Sequence, residues 1–207
     1  MKVKASPVPA LPKEALDFFR KKKLTHELDL DVTWREEHAR AFKVAGVSAT
    51  DLLEAIRAEV DRALAEGLTL KQFADQLEEV AATLGWKASK PGKPPWRLRV
   101  IYDTNMRVAR AAGQWARIQR TKEARPYLVY ELGPAEKHRP LHESWAGTTL
   151  PVDDPWWDTH MTPNGYMCRC RVRQVTTREA ERIGISEAAP AGAPDTGWDT
   201  NPGKTTS

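Results

Sequence analysis

Apolar residues recur at spacings of three and four along the first half of this chain, which predicts a succession of helices. A short helix over 10–24 has Pro12 near its start and Leu16, Phe18 and Phe19 on its apolar side. A second, over 34–45, is capped by Asp31 or Thr33, carries Trp34, His38, Ala41, Phe42 and Ala45 on one face, and ends at Gly46. That face makes His38 a core histidine rather than a ligand. Ser48 and Asp51 then open a stripe of Leu52, Leu53, Ile56, Val60 and Leu64, which stops at Gly67. Thr69 and Gln72 form a capping box ahead of Leu70, Phe73, Leu77, Val80 and Leu84, closed by Gly85. So short a connection between the last two helices predicts an antiparallel hairpin. Pro95 suits the first position of a longer helix, in which Leu98, Ile101, Asn105, Val108, Ala112 and Trp115 form a core-facing seam. Asn105 lies within that seam and needs a hydrogen-bond partner there.

Past Pro126 the period changes. Residues 127–130 read Tyr-Leu-Val-Tyr, a β-prone run bounded by Gly133 and Pro134. Residues 168–173 alternate Cys and Val with Arg, which predicts a strand. Cys168, Cys170 and Val172 then share an inward face, and Arg169, Arg171 and Arg173 share the other. Residues 176–185 allow one or two helical turns. From Ser186 onward Pro, Gly and Thr dominate around a single Trp198, a composition too polar to order itself. This tail is expected to be flexible in isolation and ordered only against another chain. The fold class is α+β. Its parts are an arm (1–10), a helical region (11–86), a linker (87–95), the long helix with a small sheet-bearing module (96–185), and an extended tail (186–207).

Composition narrows the class. Hydrophobic residues make up 41% and charged residues 29%, as in soluble globular proteins. No apolar run approaches the roughly 20 residues a membrane span needs, and the start of the chain lacks the apolar core of a secretory signal. The two cysteines, one residue apart, cannot build a disulfide framework, so a reducing, cytosolic place of assembly is expected. The net charge of +4 is unevenly spread: residues 96–126 carry +6, against +1 before them and −3 after. Arg99, Arg107, Arg110, Arg117 and Arg120 project off the seam of the long helix. Arg107, Arg110, Arg117 and Arg120, with Arg169, Arg171 and Arg173, are candidates for a surface that meets nucleic acid or an acidic partner. The bland alternative is a solvated helix face. The basic run at 20–23 reads as a helix end facing water.

The chemistry is concentrated in residues 137–175, which hold three of the five His, both Cys and three of the eight Trp. Cys168 and Cys170 with His142, and with His138 or His160 as a fourth, supply a zinc donor set. Their spacing is unlike that of a zinc knuckle, where the paired Cys stand two to four residues apart, and Pro140 separates His138 from His142. Two cysteines in a small core beside His142 is the simpler alternative. Either way the two sulfurs and His142 are expected to meet, buried and reduced. A Cys–His nucleophile, or a nuclease-like set of Arg139, His142 and Glu143, finds no third orienting group. Asp153 and Asp154 ahead of Pro155 read as a turn. Trp156 and Trp157 read as a roof over the sheet, and Asn164-Gly165 as a tight turn feeding the strand.

The resemblance to a known family rests on an ordered series of segments: EEHARAFKVA, DLLEAI, a Gly-Leu-Thr helix start ending in LGW, RVIYDTNMRVARAAG, RPYLVY, HRPLHESWAG, LPVDDPWWDTHMTPNGYMCRC and GWDTNPG. In this order they are similar throughout to the Mu F-like minor head proteins of the phage head-morphogenesis type. Matching positions are Tyr102, Asn105, Arg107, Arg139, His142, Gly147, Asp154, Pro163, Gly165, Cys168, Arg169 and Cys170. The resemblance implies a non-enzymatic virion protein, at the head interior or portal vertex, assembled in the host cytoplasm. Implied partners are the portal protein or major capsid protein, with double-stranded DNA as the alternative and no membrane. It implies no catalytic role for any of these positions and no cofactor, zinc remaining the one candidate. The chain stops soon after Asn201-Pro202-Gly203, where some relatives are expected to continue, so a further C-terminal module is expected to be absent.

Overall fold

A computed structural model describes residues 9–24, 41–42, 44, 47, 49–84 and 96–204. The chain forms two compact units, residues 1–110 and 111–207, with the boundary inside the long helix.

In the first unit, α1 (Lys13–Lys21) is followed by a two-residue strand β1 (Lys23–Leu24), which pairs in parallel with β2 (Ala41–Phe42). Of the expected helix over 34–45, Ala41 and Phe42 are therefore strand instead. Phe42 turns into the core and meets Phe19 edge to face, ring centres 5.7 Å apart; a β-prone aromatic in a tertiary contact overrides the helical spacing. Trp34, His38, the capping candidates Asp31 and Thr33, Ser48, Gly85 and the linker lie outside the described residues. Lys22 is also unlike a solvated helix end: it is buried, with its ammonium over the Phe18 ring.

The helical hairpin forms as its pattern dictates. Helix α2 (Thr50–Glu66) starts from Ala49, which offers no side-chain cap, and Asp51 lies in its first turn. It ends at Gly67, whose φ of 68° is the left-handed conformation that a C-terminal glycine supplies. Helix α3 (Leu70–Thr83) opens on the full capping box of Thr69 and Gln72. Leu53, Ile56, Leu64, Phe73 and Leu77 are fully buried. The long helix α4 (Trp96–Thr121) adds Leu98 and Ile101 to the buried set, and the Tyr102 hydroxyl donates to the Leu68 carbonyl at 2.5 Å. Asn105 finds its partner within its own helix, donating to the Ile101 carbonyl at 2.9 Å. Burial spreads beyond the expected seam to Met106 and Ala109.

The second unit is built on a three-stranded antiparallel sheet in the order β4–β3–β5. Strand β3 (Tyr127–Glu131) is central, with β4 (Thr149–Pro151) and β5 (Arg171–Val175) on its flanks. One face, with Leu128, Tyr130, Leu150 and Val172, packs against Trp115 and Ile118 of α4 and against Trp145, Trp156 and Trp157. The other packs Val129 and Val175 on Ala180 of α7 (Thr177–Ile183). Gln114 of α4 donates to the Val172 carbonyl, so helix and sheet are joined by a hydrogen bond as well as by packing. Two short helices, α5 (Pro140–Ser144) and α6 (Trp157–His160), fill the connections.

Through residue 204 the tail forms turns and bends without helix or strand, and it packs on its own chain rather than needing another. Trp198, Asn201 and Pro202 are buried. The indoles of Trp145 and Trp156 donate to the carbonyls of Ala191 and Pro190, at 3.0 and 3.3 Å. Asn201 is held from both sides: its backbone N–H donates to the Asp158 carbonyl at 2.7 Å, and its side chain donates to the Trp157 carbonyl and accepts from the Gly203 N–H. A Pro- and Gly-rich segment has few apolar groups, yet it offers unpaired carbonyls to buried indole N–H groups that need them. Average composition misses that match.

Candidate metal centre

Pro140 occupies the first turn of α5, where its missing N–H costs nothing. The helix it starts is only long enough to turn His142 inward, while His138 stays outside the helix, half-buried. Cys168 and Cys170 lie in the connection just before β5, so the strand is shorter than the alternation predicts and begins at Arg171. Both cysteines are free and buried. His142 Nδ1 stands 3.7 Å from the Cys168 sulfur and 3.6 Å from the Cys170 sulfur. Ligand atoms of all three residues lie within 4.8 Å of one another. His142 is 2% exposed and its ring stacks on Trp145.

Backbone amides support the sulfurs. The N–H groups of Asn164 and Cys170 serve Cys168, and that of Gly133 serves Cys170. Gly133 can do this because it has no side chain: a Cβ there would stand 1.7 Å from the Arg169 carbonyl oxygen. The Cys170 thiol donates to Cys168 and, with His142 and the amides, outweighs burial to pull the Cys168 thiol down to about 4. The same proton, held between the sulfurs, and then burial push Cys170 up. Tyr130, raised by burial, completes the surround and donates to Asn164 Oδ1 at 3.0 Å. A cavity of about 190 Å³ opens over the three residues, and His138, Arg139 and Arg169 also line it.

His160 does not join them. Its ring stacks on Trp156, and its nitrogens reach the carbonyls of Trp156 and Gly192 and the Thr159 hydroxyl. Asp154 caps a turn, accepting from the Trp156 N–H at 2.8 Å, and Asp153 pairs with Lys122. The sequence pattern places Tyr130 in a strand, Gly133 at its end and Asn164 in a turn, but none of them beside the cysteines. The only trace of Gly133 was its place just past the β3 pattern, and the amide support depends on tertiary approach, which no spacing encodes.

The arginines divide. Arg171 and Arg173 both pair with Glu131, and Arg173 also pairs with Glu179. They meet neither Asp153 nor Asp154, because the antiparallel register puts Glu131 opposite Arg171. On α4, Arg99, Arg110 and Arg120 are exposed, whereas Arg107 and Arg117 are half-buried. Of the nuclease-like set, Arg139 and His142 line the same cavity, whereas Glu143 is exposed and outside it; Arg139 also bonds the Tyr166 carbonyl and pairs with Asp195.

Residues 54–173 match the profile of the family described as "Phage Mu protein F like protein". The chain belongs to that family. It is 35% identical over 193 residues to "Putative capsid assembly protein F" of Escherichia phage Mu, and 29% identical over 170 residues to the "Mu-like prophage FluMu F protein" of Haemophilus influenzae. These alignments cover 84% and 75% of this chain but only 42% and 41% of the relatives, so the chain spans less than half their length. No solved structure matches it. The Mu F-like match contains the whole centre, from Gly133 to Cys170. Other matching positions shape its surroundings. Gly147 turns the chain before β4 with φ 84°, Pro163 follows a cis bond, and the Gly165 carbonyl accepts from the Cys168 N–H.

Proposed function

We propose that this chain is a structural minor capsid protein of a tailed phage or phage-like particle, bound at the portal and acting in head morphogenesis. The observation that carries the reading is the 35% identity, over most of the chain, to a relative named for capsid assembly. The geometry agrees with a structural role. His142 and the two cysteines are buried beneath a small cavity and packed against the tryptophan-rich core of the second unit. Among the described residues no helix is long and apolar enough to cross a membrane.

The rival, a DNA-binding virion protein ejected with the genome, has the exposed Arg110 and Arg120 in its favour. It has less from the sheet, where Glu131 and Glu179 take up Arg171 and Arg173. The deciding experiment deletes the gene from its phage or prophage and restores it in trans. Heads should fail to mature in its absence, and the restored protein should be found in particles at low copy and bind purified portal protein. Normal particles without it, and its absence from restored particles, would overturn the reading.

A further inference from the structure

We propose that His142, Cys168 and Cys170 bind a tetrahedral zinc ion that staples α5 to the segment entering β5, with the fourth position facing the cavity where His138 lies. Zinc bonds of about 2.3 Å to sulfur and 2.0–2.1 Å to nitrogen, at tetrahedral angles, require about 3.6 Å between a thiolate and an imidazole nitrogen. The two observed separations are 3.6 and 3.7 Å. The ordinary objection to cysteines one residue apart is that a strand holds them too rigidly. Here both precede the strand: Cys168 closes a turn in which its N–H bonds the Gly165 carbonyl, and Cys170 lies in the irregular connection after it.

The donor set and its surround also suit the ion. Two thiolates and an imidazole are soft ligands that favour zinc over magnesium or calcium. Two thiolates, a neutral imidazole and a dication sum to zero charge, which a buried site tolerates, whereas two buried thiolates alone would not be. His160 is not the fourth ligand, since its nitrogens already serve backbone carbonyls. His138 lines the same cavity as the other three and has no helix holding it elsewhere. The proposal stands on this geometry alone and does not depend on the role in the head.

The test is metal binding by the purified full chain, stripped with chelator and titrated with zinc and separately with cobalt. Expected are one ion per chain, cobalt spectra with thiolate charge transfer and tetrahedral d–d bands, and a rise in melting temperature on the order of 10 °C with zinc. Cys168→Ala with Cys170→Ala should fold, since alanine suits the same buried setting, and should lose both the ion and the zinc-dependent rise. His142→Ala should lose the tetrahedral spectrum. His138→Ala should keep one ion per chain and weaken binding at least tenfold. Failure of the stripped wild-type chain to bind either metal stoichiometrically would overturn the site, and so would unchanged binding by the double cysteine variant. If His138→Ala binds as tightly as wild type, the fourth ligand is not His138 and that part of the proposal falls.

Discussion

Glu131, at the end of β3, holds two arginines at once. Its oxygens accept from Arg171 Nε at 2.8 Å and from Arg173 Nε at 2.6 Å, and its side chain is only 21% exposed. Burial alone would raise its pKa, but the bonds from Arg173 and Arg171 outweigh it and the net shift is downward. A carboxyl with a lower pKa folded than unfolded stabilises the fold above the ordinary glutamate value of about 4.3, and that contribution is lost as pH falls through the folded value. Both arginines are partly exposed, so screening limits the effect. Glu131→Gln should therefore cost roughly 1 kcal/mol at pH 7, with the gap from wild type closing below about pH 4. Urea unfolding at the two pH values measures it, and a gap independent of pH would show that the ion pairs are not its source. The sequence revealed that Arg171 and Arg173 share a strand face. It did not reveal what they face, because the partner is fixed by the β3–β5 register, and register is a tertiary property.

Elements whose signals are local were legible. The capping box at Thr69 and Gln72 and the left-handed Gly67 are written in neighbouring residues, and both form as expected. Thr69→Ala should accordingly cost about 1 kcal/mol, measured as a shift in the denaturation midpoint of the first unit. Elements decided by distant partners were not legible. Ala41 and Phe42 have helical spacing yet pair as a strand with Lys23 and Leu24. The tail is the larger case. Trp198 is buried and meets Tyr166 edge to face at 4.9 Å, while carbonyls of Pro190, Ala191 and Gly192 serve two indoles and His160. Gly203 lies so close to Trp115 that a Cβ would stand 2.3 Å from the Trp115 Cβ. Trp198→Ala should cost about 3–5 kcal/mol, in line with loss of a buried aromatic. It should also release the tail to limited proteolysis ahead of the rest of the chain. A tail cleaved equally fast in the wild-type chain would mean that these contacts do not hold it in solution.

At the scale of the whole molecule, what separates a particle component from a DNA-binding protein is how many cations are available to phosphates. The chain carries +6 over residues 96–126, and counting sequence charge alone invites a DNA surface of seven arginines. The structure spends that charge unevenly. Arg171 and Arg173 are neutralised by Glu131 and Glu179, Arg107 and Arg117 are half-buried, and Arg169 lines the cavity over the cysteines. Of the seven, Arg110, Arg120 and Arg171 are exposed, and Arg171 is held by Glu131, which leaves the two on α4. Each phosphate neutralised contributes about −0.9 to the slope of log affinity against log salt, so two arginines predict a slope of about −2 and seven a slope of about −6. Fluorescence anisotropy of a labelled duplex, titrated with the chain across a range of salt concentrations, should therefore find weak binding with the shallow slope. Charge reversal at Arg110 and Arg120 should abolish what binding there is, whereas reversal at Arg171 and Arg173 should act through stability alone. A slope near −6 would mean that the glutamates release their arginines to DNA, and it would move the reading of this family member from head architecture toward the genome.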